Sequence, residues 1–184
     1  MKKLFLMAFM VVLFANCQVR VKSSYDHSVD FGKYKTFCWM TGCEFKFNGP
    51  AHLNDSLLHQ HLKLAIVDEL RNKGLTEDIA NPDLLVGFTI TISDEQAVIY
   101  HRAEDSPLFY KSLEMDTEVV NYLKGTMIIG MADKIESRMV WESVAVSYME
   151  VNPDLSEQNI RKGIKLVLKD FPPSKARKAG TKFH

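Results

Sequence analysis

Residues 84–92 carry the clearest hydrophobic rhythm in the chain. Val86, Phe88, Ile90 and Ile92 fall on one side of an extended backbone and Gly87, Thr89 and Thr91 on the other, which predicts a half-buried strand. Residues 18–24 alternate in the manner of an opening strand, and 33–40 have the aromatic-rich content of a second. Residues 126–132 and 139–149, separated by the polar turn 133–137, predict a hairpin. Between these lies a helical pattern: Asn54 as N-cap, then Leu57, Leu58, Leu62, Ala65, Ile66 and Leu70, with Gly74 where a left-handed C-cap is wanted. A second helix opens at Pro153-Asp154 and Glu157. It lines up Ile160, Gly163, Ile164, Val167, Leu168 and Phe171 on one stripe and is stopped by Pro172-Pro173, which cannot donate backbone hydrogen bonds. Two amphipathic helices and about five mostly alternating strands predict an α+β, two-layer architecture: an antiparallel sheet with both helices packed on one face.

Residues 93–121 break this regularity with mixed charge, scattered aromatics and Pro107. They predict an extended, variable insertion with strand pieces around 97–101 and 109–113, in the kind of loop where function concentrates.

The start of the chain changes the picture. Lys2 and Lys3 precede an unbroken apolar run, residues 4–15, followed by Asn16 and Cys17. Spanning a bilayer takes roughly 20 apolar residues, whereas the core of a secretory signal needs about 7 to 15. The run therefore predicts a signal peptide over 1–16 that is removed, and no later segment is both long and uncharged enough to span. The layout resembles a bacterial lipoprotein signal, with Cys17 as the lipidated residue, although Phe14 and Asn16 stand where Leu and a small residue are usual. Each buried methylene of such an anchor contributes about 0.8 kcal/mol. Gln18, rather than Asp, follows the cysteine, an arrangement that in lipoproteins resembling those of enteric bacteria permits sorting to the outer membrane. The expected location is thus the cell envelope, lipid-anchored and facing the periplasm, with the membrane as first partner and an envelope protein as a second.

Charge narrows the partners. Removing 1–16 leaves 21 basic against 23 acidic residues, so nucleic acid, which demands a basic stripe, is not an expected partner. The one basic cluster, Lys175, Arg177, Lys178 and Lys182, lies in a polar tail over 174–184 that reads as disordered. The remainder, 17–173, has the length of one domain.

Candidate chemistry is sparse. Cys38 and Cys43 flank a turn-capable spacer and could meet as a disulfide in an oxidising compartment, or Cys38 could pack as a small hydrophobe. His59 and His61 stand two apart on the first helix, where they cannot share a metal as an i, i+4 pair can, and read as exposed. His52 and His101 have no spacing that joins them to a site. No Gly-x-Ser-x-Gly elbow and no phosphate-cradling glycine loop occurs. The acidic residues Asp94, Glu95, Glu104, Asp105, Glu114 and Asp116 cluster in the insertion as a solvated surface, with a glycosidase pair as the sharper alternative. No catalytic residue, metal ligand or cofactor is assigned.

A series of short motifs nevertheless carries a resemblance. Asp30-Phe31, Tyr34-Lys35-Thr36-Phe37 and Trp39 come first, then Lys73-Gly74-Leu75 and Pro82-Asp83-Leu84-Leu85-Val86. Gly125-Thr126, Asp133, Val140-Trp141 and Phe171-Pro172-Pro173 complete it. In order and spacing this resembles the bacterial lipoprotein family catalogued as domain of unknown function 4136. The resemblance implies a lipid-anchored envelope protein of α+β build without an established catalytic residue. Taken physically the motifs look structural, with Trp141 as core. The function expected is a non-enzymatic structural or interaction domain; the alternative is a periplasmic small-ligand-binding or hydrolytic domain using 93–121, with His101, Glu104 and Asp105 in its pocket.

Overall fold

In a computed structural model, which describes residues 19–40, 45–102 and 115–173, seven strands among the described residues form one sheet. They are β1 (Arg20–Tyr25), β2 (Thr36–Trp39), β3 (Lys46–Asn48), β4 (Thr76–Glu77), β5 (Leu84–Arg102), β6 (Met115–Asp133) and β7 (Arg138–Met149). Two α-helices, α1 (Ser56–Asn72) and α2 (Glu157–Val167), complete the body, with short 3-10 turns at Phe31–Lys33 and Ala51–Leu53. No helix among the described residues is long and apolar enough to cross a membrane.

The strand order is β1-β7-β6-β5-β2-β4, with β3 pairing farther along β5. The pairs β1–β7, β7–β6 and β6–β5 are antiparallel, whereas β2 is parallel to both β5 and β4, and β3 is parallel to β5. The expected five-stranded antiparallel two-layer sheet is therefore overturned by a seven-stranded mixed sheet. The physical reason is the crossover: α1 lies in sequence between β2 and β4, so the chain can return and run in the same direction beside β2. β2 lies within the strand expected at 33–40; β3 and β4 span three and two residues, too short for alternation to reveal them.

The core lies between the sheet and the helices. Leu84, Val86, Phe88, Ile90 and Ile92 of β5 are buried on the predicted face, together with Leu123, Ile129 and Met131 of β6. Opposite them are Leu62, Ala65, Ile66 and Leu70 of α1 and Ile160, Ile164, Val167 and Leu168 around α2. Alternation fails at one place on β7, where Val140 and Trp141 are both fully buried. There Met131 pairs with Trp141 but Ala132 with Met139, and the residue left over makes a bulge that turns two successive side chains inward. Trp141 is core as expected, its ring edge-on to Phe171 at 5.3 Å.

Element ends shift in small ways. The N-cap of α1 is Asp55, whose carboxylate accepts from Leu57 N–H at 3.2 Å, one residue after Asn54. α2 ends at Val167 with Leu168 as C-cap, ahead of the prolines credited with stopping it. The larger change concerns 93–121: residues 93–102 continue β5 and 115–121 continue β6, so the described parts of the predicted insertion are the outer half of one long pair of strands. The strand piece expected at 97–101 lies within β5, and that at 109–113 falls outside the described residues.

Gly74 sits at φ +87° just past α1, with no atom within 4 Å of where a Cβ would stand. Its requirement is therefore purely one of backbone conformation. Gly74→Ala lowers the unfolding free energy by about 1 kcal/mol in urea denaturation, and Gly74→Asn costs less, because Asn tolerates the left-handed region.

Candidate functional site

The motif residues converge where β6 turns into β7. Asp133, at the end of β6, is 3% exposed and all its acceptor capacity is engaged. One oxygen takes Lys33 Nζ at 3.0 Å and the Tyr34 hydroxyl at 2.8 Å; the other takes the backbone N–H groups of Ile135 and Glu136 at 2.8 and 2.9 Å. Burial pushes this carboxyl up, but the hydrogen bonds from Glu136, Lys33, Tyr34 and Ile135 outweigh it and hold the group at about 2. The Tyr34 hydroxyl is pushed up to about 12, by burial first and then by its bond to Asp133. Lys33 is likewise raised, chiefly by its hydrogen bond to Asp133. A carboxylate with four donors on it is a fastener; it has no lone pair to spare for taking a proton from a substrate.

A second carboxylate, Asp83, stands just ahead of the neighbouring strand β5. Asp83 accepts from the backbone N–H of Lys35 at 2.7 Å and of Thr36 at 3.0 Å, while its own N–H donates to Thr36 Oγ1 at 2.9 Å. Its carbonyl accepts from Lys134 N at 3.0 Å. The bonds from Lys35 and, against some burial, from Thr36 hold its carboxyl below the usual range. Nearby, Arg138 bridges Asp26 and Glu136. The segment before β2 is thus stapled to the β4–β5 connection and to the β6–β7 turn by charge-assisted bonds.

Beside this staple an open cleft of ≈ 470 Å³ is lined by Cys38, Trp39, Met40, Ile79, Pro82 and Lys134, among others. It offers an apolar floor with one thiol and one amine, and among the described residues its lining has no carboxylate or imidazole. Burial raises the Cys38 thiol, which suppresses the nucleophilic thiolate.

The profile described as Domain of unknown function (DUF4136) matches residues 21–173. The chain belongs to this family. A PDZ domain protein from Parabacteroides distasonis is similar to this DUF4136 chain with 24% identity and a TM-score of 0.53, covering 91% of this chain; the chain spans 39% of that protein. Two further structures are similar at lower scores. The PelC dodecamer from Paraburkholderia phytofirmans has 10% identity, a TM-score of 0.46 and coverage of 82% and 95% of the two chains. The neuraminyllactose-binding hemagglutinin homolog from Helicobacter pylori has 10% identity, a TM-score of 0.44 and coverage of 83% and 94%. No curated protein matches the chain.

Within the DUF4136 fold the candidate chemical residues singled out from sequence do not gather among the described residues. Cys17 and Cys43 fall outside the described residues, as do Glu104 and Asp105; Cys38 is half-buried on β2, its Sγ 3.4 Å from the Trp39 carbonyl. His59 is not exposed as expected, because its ring packs on Phe45 at 4.0 Å. Among the described residues no three His, Cys, Asp or Glu side chains come together in a metal-sized group. The carboxylate staple was missed by sequence reasoning, although Tyr34, Asp83 and Asp133 all stand in the motif series; the signal was polar residues recurring next to strand ends.

Because the folded-state value of Asp133 lies below the ordinary 3.8, the stability it supplies is full above pH 4 and is lost as pH falls through about 2. Asp133→Asn costs about 2 kcal/mol at pH 7 in denaturant titrations, and the gap from the parent closes below pH 3. Tyr34→Phe costs about 1 kcal/mol at pH 7, and the cost shrinks as pH falls toward about 2, because the bond it removes helps keep Asp133 ionised.

Proposed function

We propose that this DUF4136 chain is a lipid-anchored cell-envelope lipoprotein, tethered through Cys17 at the outer membrane and facing the periplasm, whose body is a non-enzymatic structural or interaction module. The observation that carries this reading is the join between signal and fold. The basic start, the short apolar run and Cys17 are followed by Gln18 and Val19 alone before β1 begins at Arg20. Three residues reach roughly 10 Å, so a lipid on Cys17 would hold this end of the sheet close against the bilayer. The chemistry of the body supports the second half of the reading. Among the described residues the best-buried carboxylate is saturated by structural donors, and the cleft brings no acid, base and nucleophile into mutual reach.

The full-length chain, expressed in a bacterial host with a fatty-acid analogue, is expected to take up label and to sediment with membranes. Cys17→Ala loses the label and accumulates as precursor. Equal labelling of the two chains overturns the anchor assignment.

A further inference from the structure

The outer half of the β5–β6 hairpin extends beyond the body as a two-stranded arm. β7 stops pairing with β6 at Leu123 and β3 stops pairing with β5 at Thr91, while β5 and β6 go on pairing with each other to Arg102 and Met115. From residue 93 outward, β5 therefore has β6 on one side and, among the described residues, no strand on the other. Residues 93–102 include no proline, lysine or glycine, and the charges of this edge lie only at its two ends. Its centre is apolar, with Val98 49%, Ile99 42% and Tyr100 65% exposed. A bare edge of this kind is a template for another strand.

The order of charges along the edge identifies that strand. Reading outward, residues 94–102 are Asp-Glu-Gln-Ala-Val-Ile-Tyr-His-Arg, acidic at the inner end, basic at the outer end and apolar between. Laid antiparallel against its own copy about Val98, the segment sets position 94 opposite 102, 95 opposite 101, 96 opposite 100 and 97 opposite 99. Each acidic position then faces a basic one, twice over by symmetry, and the apolar centres meet. The corresponding stretch of β6, with Asp116 and Glu118 and no base between Met115 and Tyr122, has no such antisymmetry. β3 also sets the limit of the register: it occupies the same edge at Thr91, and Gly49 sits against Ile92, so an incoming strand ends where the charge pairs end.

We propose that the β5 edge of the arm, residues 94–102, is a self-recognition surface that pairs antiparallel with the same edge of a second copy of this chain, about a two-fold axis at Val98. The partner is specified by backbone hydrogen bonding together with opposed charges at both ends, and the pairing closes after two copies because the surface is used up.

The test uses the full-length chain carrying Val98→Cys, oxidised mildly in intact cells, with the parent chain setting the background. Directly opposed positions of an antiparallel pair fall within disulfide reach, so a linked dimer is expected, whereas Ile79→Cys on the exposed β4–β5 connection gives none. Asp94→Lys with Glu95→Lys makes the edge wholly basic, and His101→Glu with Arg102→Glu makes it wholly acidic. Each, added to Val98→Cys, lowers the linked species about ten-fold or more. Co-expressing the two with different tags restores it as a mixed dimer. Linking at 98 no stronger than at 79, linking indifferent to the charge changes, or failure of the mixed pair to recover would each overturn the proposal. A linked product containing a different protein would overturn it as well.

Discussion

The carboxylate of Asp133 is the point at which three separate stretches of chain are made to agree. It draws in Lys33 and Tyr34 from the segment ahead of β2, and it closes the β6–β7 turn through Ile135 and Glu136. Its cross-strand neighbour is Leu84, beside Asp83, which in turn holds the backbone of Lys35 and Thr36. A buried anion survives only if its lost hydration is replaced donor by donor, and here the replacement fixes where β2 begins relative to β5. With that start fixed, Phe37 is carried inward to full burial and the parallel half of the sheet is set in register with the antiparallel half.

What could be read from sequence was whatever repeated often enough to outweigh local noise. The rhythm of 84–92, the apolar stripe of α2 and the β6–β7 hairpin were legible because five or more positions voted for the same period. β2 was legible only through the aromatic-rich content of 33–40; β3 and β4 were not, since two or three residues cannot establish a period, and the parallel pairing of all three is a property of the crossover rather than of the strands. The outer arm was only partly legible, as a strand piece at 97–101, for another reason. Alternation reports a strand with one buried face, and an arm standing clear of the body has no buried face to report: Val98, Ile99 and Tyr100 are successive and all substantially exposed.

The functional residues divide in the same way. Tyr34, Asp83, Asp133 and Trp141 stood out in sequence as a spaced series, and the fold shows that the series encodes one junction and the core beside it. In this chain the positions of that series are spent on holding the structure together. The ribbon built from β5 and β6, and the shallow cleft around Cys38 and Trp39, are where this chain presents side chains that the fold itself does not require.

β1 also has a mechanical consequence. It joins the sheet at Arg20 opposite Val146 and ends at Tyr25 opposite Trp141, six registered pairs on one neighbour. A pull on the N-terminus along the strand axis loads all of these pairs in shear at the same moment, so they resist together instead of unzipping singly. The far end of the same strand is riveted by the backbone bond from Asp26 to Val140 and by the Asp26–Arg138 ion pair, which makes β1 a tension member rather than a loose leader.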